Sequence, residues 1–584
     1  MPERKNLSVH ENIFRFNRDT FGGTETFTYL GDGERGGKAQ GLALIQESII
    51  PFFRDHPFPS ITVYVPKLLV ITTHFFDLFL KNNDLYEIAL SGRGDDRIAH
   101  RFQKAELPSD LVGDLRAFNS IIHSPLAVRS SSLLEDQAHS PFAGVYETKM
   151  IPNNQPDPDS RFNRLVEAVK FVWASTFFRN AKAYRASVNQ KSENEKMAVI
   201  IQEIAGQRHG DRFYPNVSGV ARSFNFFPFG HAAVEDGIVN LALGLGKTIM
   251  DGNRVWSYSP ASPGTDPPFS TTGDLLKQTQ KYFWAVNMGK PPAFDPIRET
   301  EYLIQCSLTD AEYDNTLSLI ASTYDAENDM IKIGTGTPGP RILTFSPLRQ
   351  TPVIPFNDVL SSVVKQCEEA VGEKVEIEFA VNFERRPELH AAFSLLQVRP
   401  IVLNRESTVI QKKDLSGENV LLASERVLGY GVIDSLKDIV YIRPENFDIR
   451  YSREIAEEIE IVNSRLVKAG RRYLLIGFGR WGSTEAWLGI PVNWGQISGA
   501  RVIVEATLPE KEIDLSQGYH FFHNISSLGI GYFSLKHTDP YRIDWDWLDK
   551  QRPVSETRFV RHVQSGSCIR VILDAGKKMG VILT

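Results

Sequence analysis

The stretch "LAVRSSSLLEDQAHSPFAGVYETKM", residues 126–150, sets one arginine into a serine run, follows it with two acids, and closes on a Phe-Ala-Gly turn and a Glu-Thr pair. Its apolar entry, Leu126 to Val128, reads as a strand that runs into a loop. A buried strand has no use for three serines and a charge, and a linker has none for the apolar entry. Arg129 at the end of such a strand, with Ser130 to Ser132 supplying hydroxyl and backbone N–H donors, suits an anion such as phosphate. The plainer alternative is a structural arginine paired with Glu135 or Asp136.

Two distant stretches carry complementary chemistry. In "GERGGKAQGLALIQ", residues 33–46, Lys38 follows two glycines at the entrance of a helical run, where a helix N-terminus adds its own partial positive charge. The spacing does not match GxxxxGK[ST], so a P-loop is not indicated, and a Gly-Gly pair also serves as a mere turn. In "EIEFAVNFERRPELHAAFSLLQVRP", residues 376–400, Glu376 and Glu378 fall on one side of a strand, as paired Mg²⁺ ligands should. Gln397 and Arg399 share a face of the next strand, although a solvated strand face shows the same alternation.

The chain has 584 residues, of which 42% are hydrophobic, enough for roughly two to four domains. Lys+Arg total 65 against 71 Asp+Glu, a balance that gives no electrostatic footprint for nucleic acid or an anionic membrane. No apolar run approaches the roughly 20 residues of a membrane span. The start, "MPERKNLSVHENIF", lacks the apolar region of a secretory signal. Cys306, Cys367 and Cys568 lie far apart, which indicates neither a disulfide framework nor a Cys-x-x-Cys metal site. A soluble cytoplasmic protein is expected.

Strand and helix signals alternate through the first third, and further strands and helices follow. "SITVYVPKLLVIT" and "KMAVIIQEIAG" read as strands, and "THFFDLFLKNN", "SRFNRLVEAVKFVWASTFFRNAKAYRAS" and "FNDVLSSVVKQCEEAVG" as helices. "KVEIEFAVNF" and "FSLLQVRPIVL" read as a pair of strands. The polar run from 404 to 417 looks like a linker after a module at 22–403, with residues 1–21 as an extension. Beyond it, 418–584 reads as a smaller mixed α/β domain, with a helix at "SREIAEEIEIVNSRLVKAG" and strands at "RYLLIGFG", "ARVIVEATL" and "GIGYFSL".

Taken together and in order, "GGKAQGLALI", "VPKLLVITTHFFDLFL", "AVRSSSLLEDQAHSPFAGVYET", "MAVIIQEI", "SGVARS", "GLGKTIMDG" and "LLQVRPI" resemble the nucleotide-binding module of phosphoenolpyruvate synthase and pyruvate phosphate dikinase. Rifampicin phosphotransferase and the glucan water dikinases share that module. The resemblance covers residues 22–403 and implies an α/β, ATP-grasp-like fold with ATP between subdomains. It further implies that Lys38, Arg129 and Ser130 contact phosphates, that Phe142, Ala143 and Gly144 close over them, and that Thr148 belongs to the same nucleotide site. Gln202 and Glu203 would line the adenine pocket, Glu378 and Gln397, with Glu376 beside them, would hold Mg²⁺, and Arg399 would reach the transferring phosphoryl group. Two departures stand out. Lys247 occupies a position usually held by glutamate, reversing charge in the cleft wall, and Pro141 precedes Phe142.

Those enzymes pass phosphate to a histidine in a Thr-Ser-His-Ala-Ala motif on a swivelling domain, and a barrel domain then uses it. Neither motif occurs here, and residues 404–584 are too few for a (β/α)₈ barrel of about 250 residues. The tail patterns "GRWGS", "LGIPV" and "GYHFF" resemble stand-alone homologues of the module. In "LSQGYHFFHNISSLGIGYF", His520 is a candidate phosphate carrier, while aromatic packing explains His520 and His523 equally simply. Trp481, Trp487 and Trp494 read as core. The expected activity is Mg·ATP-dependent phosphoryl transfer to a histidine, on the tail or on a partner subunit, and then to an unidentified small molecule. A nucleotide sensor without turnover and an ADP-forming kinase or ligase are the alternatives.

Overall fold

Pro66 decides how the first part of the chain is laid out. "SITVYVPKLLVIT" is apolar enough for one strand, but proline has no N–H for a ladder. In the computed structural model the chain divides there into Ile61–Tyr64 and Leu68–Ile71, which enter different sheets. The structure describes residues 13–133, 135, 144–187, 195–267, 271–351, 353–386, 388–401, 410–483, 487–509, 525 and 528–584.

The first sheet is six-stranded, in the order Ile13–Arg15, Phe27–Leu30, Leu68–Ile71, Met197–Glu203, Leu126–Ser132, Thr148–Ile151. Its central strands are buried on both faces. Leu68, Val70, Ala198 and Ile200 enter one hydrophobic cluster, while Leu69, Ile71, Val199 and Ile201 enter another, as period-two alternation requires. Residues 13–21, within the expected extension, join this sheet and its core: Ile13–Arg15 pairs in parallel with Phe27–Leu30, and Phe16 and Phe21 pack on Phe118.

The second sheet, also six-stranded, is built on the hairpin Val375–Arg386 and Glu388–Pro400. Val217–Arg222, Ile238–Ala242 and Trp256–Tyr258 extend it on one side, and Ile61–Tyr64 adds in parallel on the other. The cluster holding Leu68 and Ala198 also holds Ile377, Phe379 and Val381, so one core joins the two sheets. A four-stranded and a three-stranded sheet lie between residues 207 and 343.

The long helix expected over 160–187 is two helices, Pro158–Ser175 and Arg179–Ser187. Asp157 caps the first by accepting from Ser160 N at 2.8 Å, and the chain then turns so that Phe177 stacks on Phe76. Phe356–Val371 forms as its pattern predicts and ends on Gly372, whose φ of 79° suits the left-handed cap position.

The tail supplies a nine-stranded sheet covered by the helix Ser452–Lys468, whose Ile455, Ile459, Val462 and Leu466 make one apolar stripe. The expected strands appear as Tyr473–Phe478, Ala500–Ala506 and Gly531–Leu535. The long antiparallel pair Tyr430–Ile442 and Val560–Asp574 was not legible beforehand. Tail and first sheet share a continuous hydrophobic cluster, reinforced by Arg179–Glu460 at 2.8 Å and by Gly495 N donating to Asn180 Oδ1 at 3.1 Å. Within the expected linker, Ile410 and Leu415 pack on Ala423 and Val581 of the tail. Among the described residues no helix is long and apolar enough to cross a membrane.

Candidate functional site

The serine run turns out to be a set of ties. Ser130, Ser131 and Ser132 are fully buried. Ser131 Oγ donates to Arg35 O at 2.9 Å and accepts from Ala39 N at 3.1 Å, which pins the start of the helix Gly37–Leu44 to the strand Leu126–Ser132. Gly36 makes the approach possible: its φ is 78°, and an added Cβ would lie 1.8 Å from Ser131 O. Lys38, on that helix, lies 2.9 Å from Glu135 and 3.1 Å from Ser130 Oγ. Glu135 is therefore the partner of Lys38 rather than of Arg129.

Arg129 reaches across to the second sheet. Its Nη2 donates to Gln397 Oε1 at 2.8 Å and to Glu378 Oε2 at 3.2 Å, and its Nη1 donates to Leu396 O at 3.0 Å and Gln202 Oε1 at 3.4 Å. Residues separated by more than 260 positions thus meet at one guanidinium, whose planar fork can serve several acceptors together.

Strand register explains which groups are available. Glu378 stands opposite Gln397, and Glu376 stands opposite Arg399 on one side and Arg222 on the other. Arg222, Glu376 and Arg399 are 4%, 1% and 2% exposed, so this row across three strands is a buried charge cluster. One Glu376 oxygen accepts from Arg222, and the other accepts from Arg399 Nε at 2.8 Å and Nη2. Glu376, expected beside Glu378 as a metal ligand, thus has both carboxylate oxygens on arginines, as a buried carboxylate requires. Arg399 is held by the same carboxylate, with Glu378 Oε1 3.9 Å from its Nη2. That Glu378 oxygen is buried and has no hydrogen-bond partner.

A cavity of ≈ 380 Å³ opens between the sheets. Arg129, Thr148, Gln202 and Glu203 line it from the first sheet, and Glu378 from the second, with Gly144 at its edge. Glu203 accepts from Ser124 at 2.9 Å. Lys38, Ser130, Glu376, Gln397 and Arg399 stand behind these residues and do not line the cavity. Phe142, Ala143, Pro141, His520 and His523 lie outside the described residues.

Lys247 lines the cavity too, and the expected charge reversal does not follow. Its ammonium lies 3.1 Å from Asp251 and 3.1 Å from Glu299, both of which also line the cavity. Burial alone would lower its pKa, but Glu299 and Asp251 outweigh burial and hold it above the usual lysine range. Two carboxylates around one ammonium leave this wall acidic. Glu147, half-buried nearby, has its carboxyl pushed up to about 8 by burial and then by the charge of Glu299.

Sequence reading missed Arg222, Asp251, Glu299 and Glu147. Asp251 had a signal, since it is four residues after Lys247 and helical spacing brings such pairs together. Arg222 lay in the quoted "SGVARS", but only strand pairing shows that it faces Glu376. Glu299 sits in a distant loop with no local mark.

Comparison with known proteins agrees with this architecture. Residues 34–419 match the model of the pyruvate phosphate dikinase AMP/ATP-binding domain. The chain is 28% identical over 239 residues to phosphoenolpyruvate synthase of Aeropyrum pernix, covering 37% of this chain and 25% of that protein. It is 27% identical over 196 residues to the uncharacterized phosphotransferase YvkC of Bacillus subtilis, covering 32% of this chain and 20% of that one. The chain therefore spans about a quarter or less of the length of these curated relatives. With the domain model covering well over half of its residues, the chain belongs to the family of the pyruvate phosphate dikinase AMP/ATP-binding domain.

Proposed function

We propose that the chain binds Mg·ATP in the cleft between its two six-stranded sheets and transfers a phosphoryl group to a histidine, as dikinases do. The observation that supports this reading best is the convergence of Gln202, Glu378 and Gln397 on Arg129 at the wall of the cavity. Its ≈ 380 Å³ falls within the usual range for small-molecule sites, about 300–1,000 Å³. In this reading Arg129 offsets charge on the ATP phosphates, and the segment of Phe142, Ala143 and Gly144 covers them. Thr148 lies beside the phosphates, and Gln202 and Glu203 face the adenine.

Glu378 fits a Mg²⁺ ion, since it lines the cavity and its Oε1 is a hard, buried acceptor without a hydrogen-bond partner. Gln397, behind the wall with its Oε1 accepting from Arg129, would join it only by giving up that bond. No group of three or more His, Cys, Asp or Glu suited to a metal occurs among the described residues, so phosphate oxygens and water would complete the shell. When bound, the ion would neutralise charge on bridging phosphate oxygens. Arg399 would act on the same charge from behind Glu378. In the transfer, a histidine nitrogen bonds to the β-phosphorus, the bond between that phosphorus and the α,β-bridging oxygen breaks, and AMP leaves with the electron pair. The histidine then carries both the β- and γ-phosphates, and attack of water or inorganic phosphate on the γ-phosphorus breaks the β,γ bridge and leaves a single phosphoryl group on the histidine. The accepting histidine is His520 or one on a partner subunit.

A second reading, nucleotide binding without turnover, is favoured by Lys38, which is committed to Glu135 and Ser130 and does not line the cavity. Incubation with Mg²⁺ and ATP labelled at the β-phosphate separates the readings. AMP with acid-labile label on a protein histidine supports dikinase chemistry, and loss of that label in His520→Ala assigns the residue. ADP supports a direct kinase or ligase. Bound ATP with neither product, in the presence of a histidine-bearing partner, supports the sensor.

A further inference from the structure

A second cavity lies across the short helix Lys247–Met250 from the nucleotide cavity, and nothing in the phosphoryl transfer uses it. Its volume is ≈ 550 Å³, and Lys247 and Asp251 line both spaces. Its wall includes Thr248, which is 3% exposed and whose hydroxyl oxygen has no hydrogen-bond partner. A buried, unsatisfied hydroxyl is costly unless something bonds to it.

The rim has a different character. Tyr282 is 59% exposed and Trp487, contributed by the tail, is 63% exposed. Trp481 and Trp494 enter the hydrophobic core as their sequence predicts, but Trp487 does not. An indole left largely in water beside a cavity is available for stacking. Lys281, next to Tyr282, is exposed and makes no ion pair among the described residues, and Arg254 adds a second cation to the wall. Aromatic rings, a lysine and an unsatisfied hydroxyl around one space are the recognition elements for a flat ring that carries an anion.

We propose that this cavity binds a small aromatic anion, a ring bearing a carboxylate or a phosphate, and that this ligand opposes nucleotide binding. The ring stacks on Trp487 and Tyr282, the anion meets Lys281, and Thr248 donates a hydrogen bond to it. The antagonism follows from Lys247, which lies between the two cavities. An anion in the second cavity draws the ammonium away from Asp251 and Glu299, leaving both carboxylates less compensated where they face the nucleotide. By linkage the nucleotide weakens the aromatic anion by the same factor. Only this coupling rests on the nucleotide reading; the binding itself is tested without nucleotide.

The test titrates the full chain with 1-naphthyl phosphate and with 1-naphthoate, followed by tryptophan fluorescence and calorimetry, with the neutral 1-naphthol as control. The expected result is saturable binding of at least one anion, stronger than that of naphthol. Trp487→Ala should weaken it about five- to tenfold. Lys281→Glu should weaken it at least as much, and Arg129→Ala should leave it unchanged. Both rim positions are exposed, and unchanged thermal melts of the two variants show that the fold is kept. Absence of saturable binding, indifference to both rim variants, or loss in Arg129→Ala would overturn the site. With the site established, a Kd for the probe that rises on adding ATP supports the coupling, and a Kd that stays constant contradicts it. A site without coupling would leave the nucleotide reading to its own assay.

Discussion

Two cations line one cavity and are held in opposite ways. Arg129 meets one carboxylate and three neutral acceptors, so its charge is only partly spent. Lys247 lies between Asp251 and Glu299, so its charge is more than cancelled. A phosphate group is attracted to the first arrangement and repelled by the second. The difference teaches that a cation's partners, rather than its presence, decide which end of the cavity would take phosphates in the proposed reading.

The largest effect expected from breaking this contrast is on catalysis. Arg129→Ala should lower ATP turnover by about a thousandfold, the scale on which an arginine acts at a phosphoryl group. Steady-state assays show this directly, and a loss below about tenfold would place the phosphates elsewhere. Next comes stability. Glu376→Gln removes the carboxylate shared by Arg222 and Arg399 in a fully buried row, leaving only Glu378, 3.9 Å from Arg399, close to the pair. About 3–5 kcal/mol of folding free energy should be lost in denaturant titration. Glu378→Gln, at the cavity wall, should cost much less stability while weakening the dependence of turnover on Mg²⁺.

How far these residues could be read beforehand follows from physics. Arg129, Glu378 and Gln397 were singled out because phosphate and metal chemistry restricts the residue types near it, and Gln202 only through the resemblance of its stretch to a family whose motifs keep a fixed order. Glu376 and Glu378 look equivalent by alternation, and only the neighbouring strand shows that one faces Arg222 while the other faces the cavity. The tail helix and three of its strands followed from apolar periodicity. The strands Tyr430–Ile442 and Val560–Asp574 did not, because irregularities in their pairing break the alternation that marks a strand. Trp487 had the composition of core and the exposure of a surface residue, which sequence cannot distinguish.

At the other end of the cavity the effects are smaller. Lys247→Met removes the ammonium between Asp251 and Glu299, so nucleotide affinity should fall about tenfold, read by calorimetry. Unchanged affinity would show that this end lies far from the bound phosphates. A separate effect concerns pH. Glu147 has a folded pKa of about 8, above its ordinary value of 4.5. The folded chain holds a proton that the unfolded chain has released, so this group's contribution to stability declines as pH rises from about 4.5 to about 8 and levels off above. Glu147→Gln should flatten that decline in melts recorded across the range. A decline of equal slope in the variant would assign it to another group.

The most direct test of the central claim compares equilibrium binding of ATP and AMP, both with Mg²⁺, to the wild-type chain and to Arg129→Ala. If Arg129 receives the outer phosphates, the wild type prefers ATP, and the variant loses that preference while keeping its affinity for AMP. Equal weakening of both nucleotides, or an ATP preference that survives the substitution, would contradict the placement of the phosphates at Arg129.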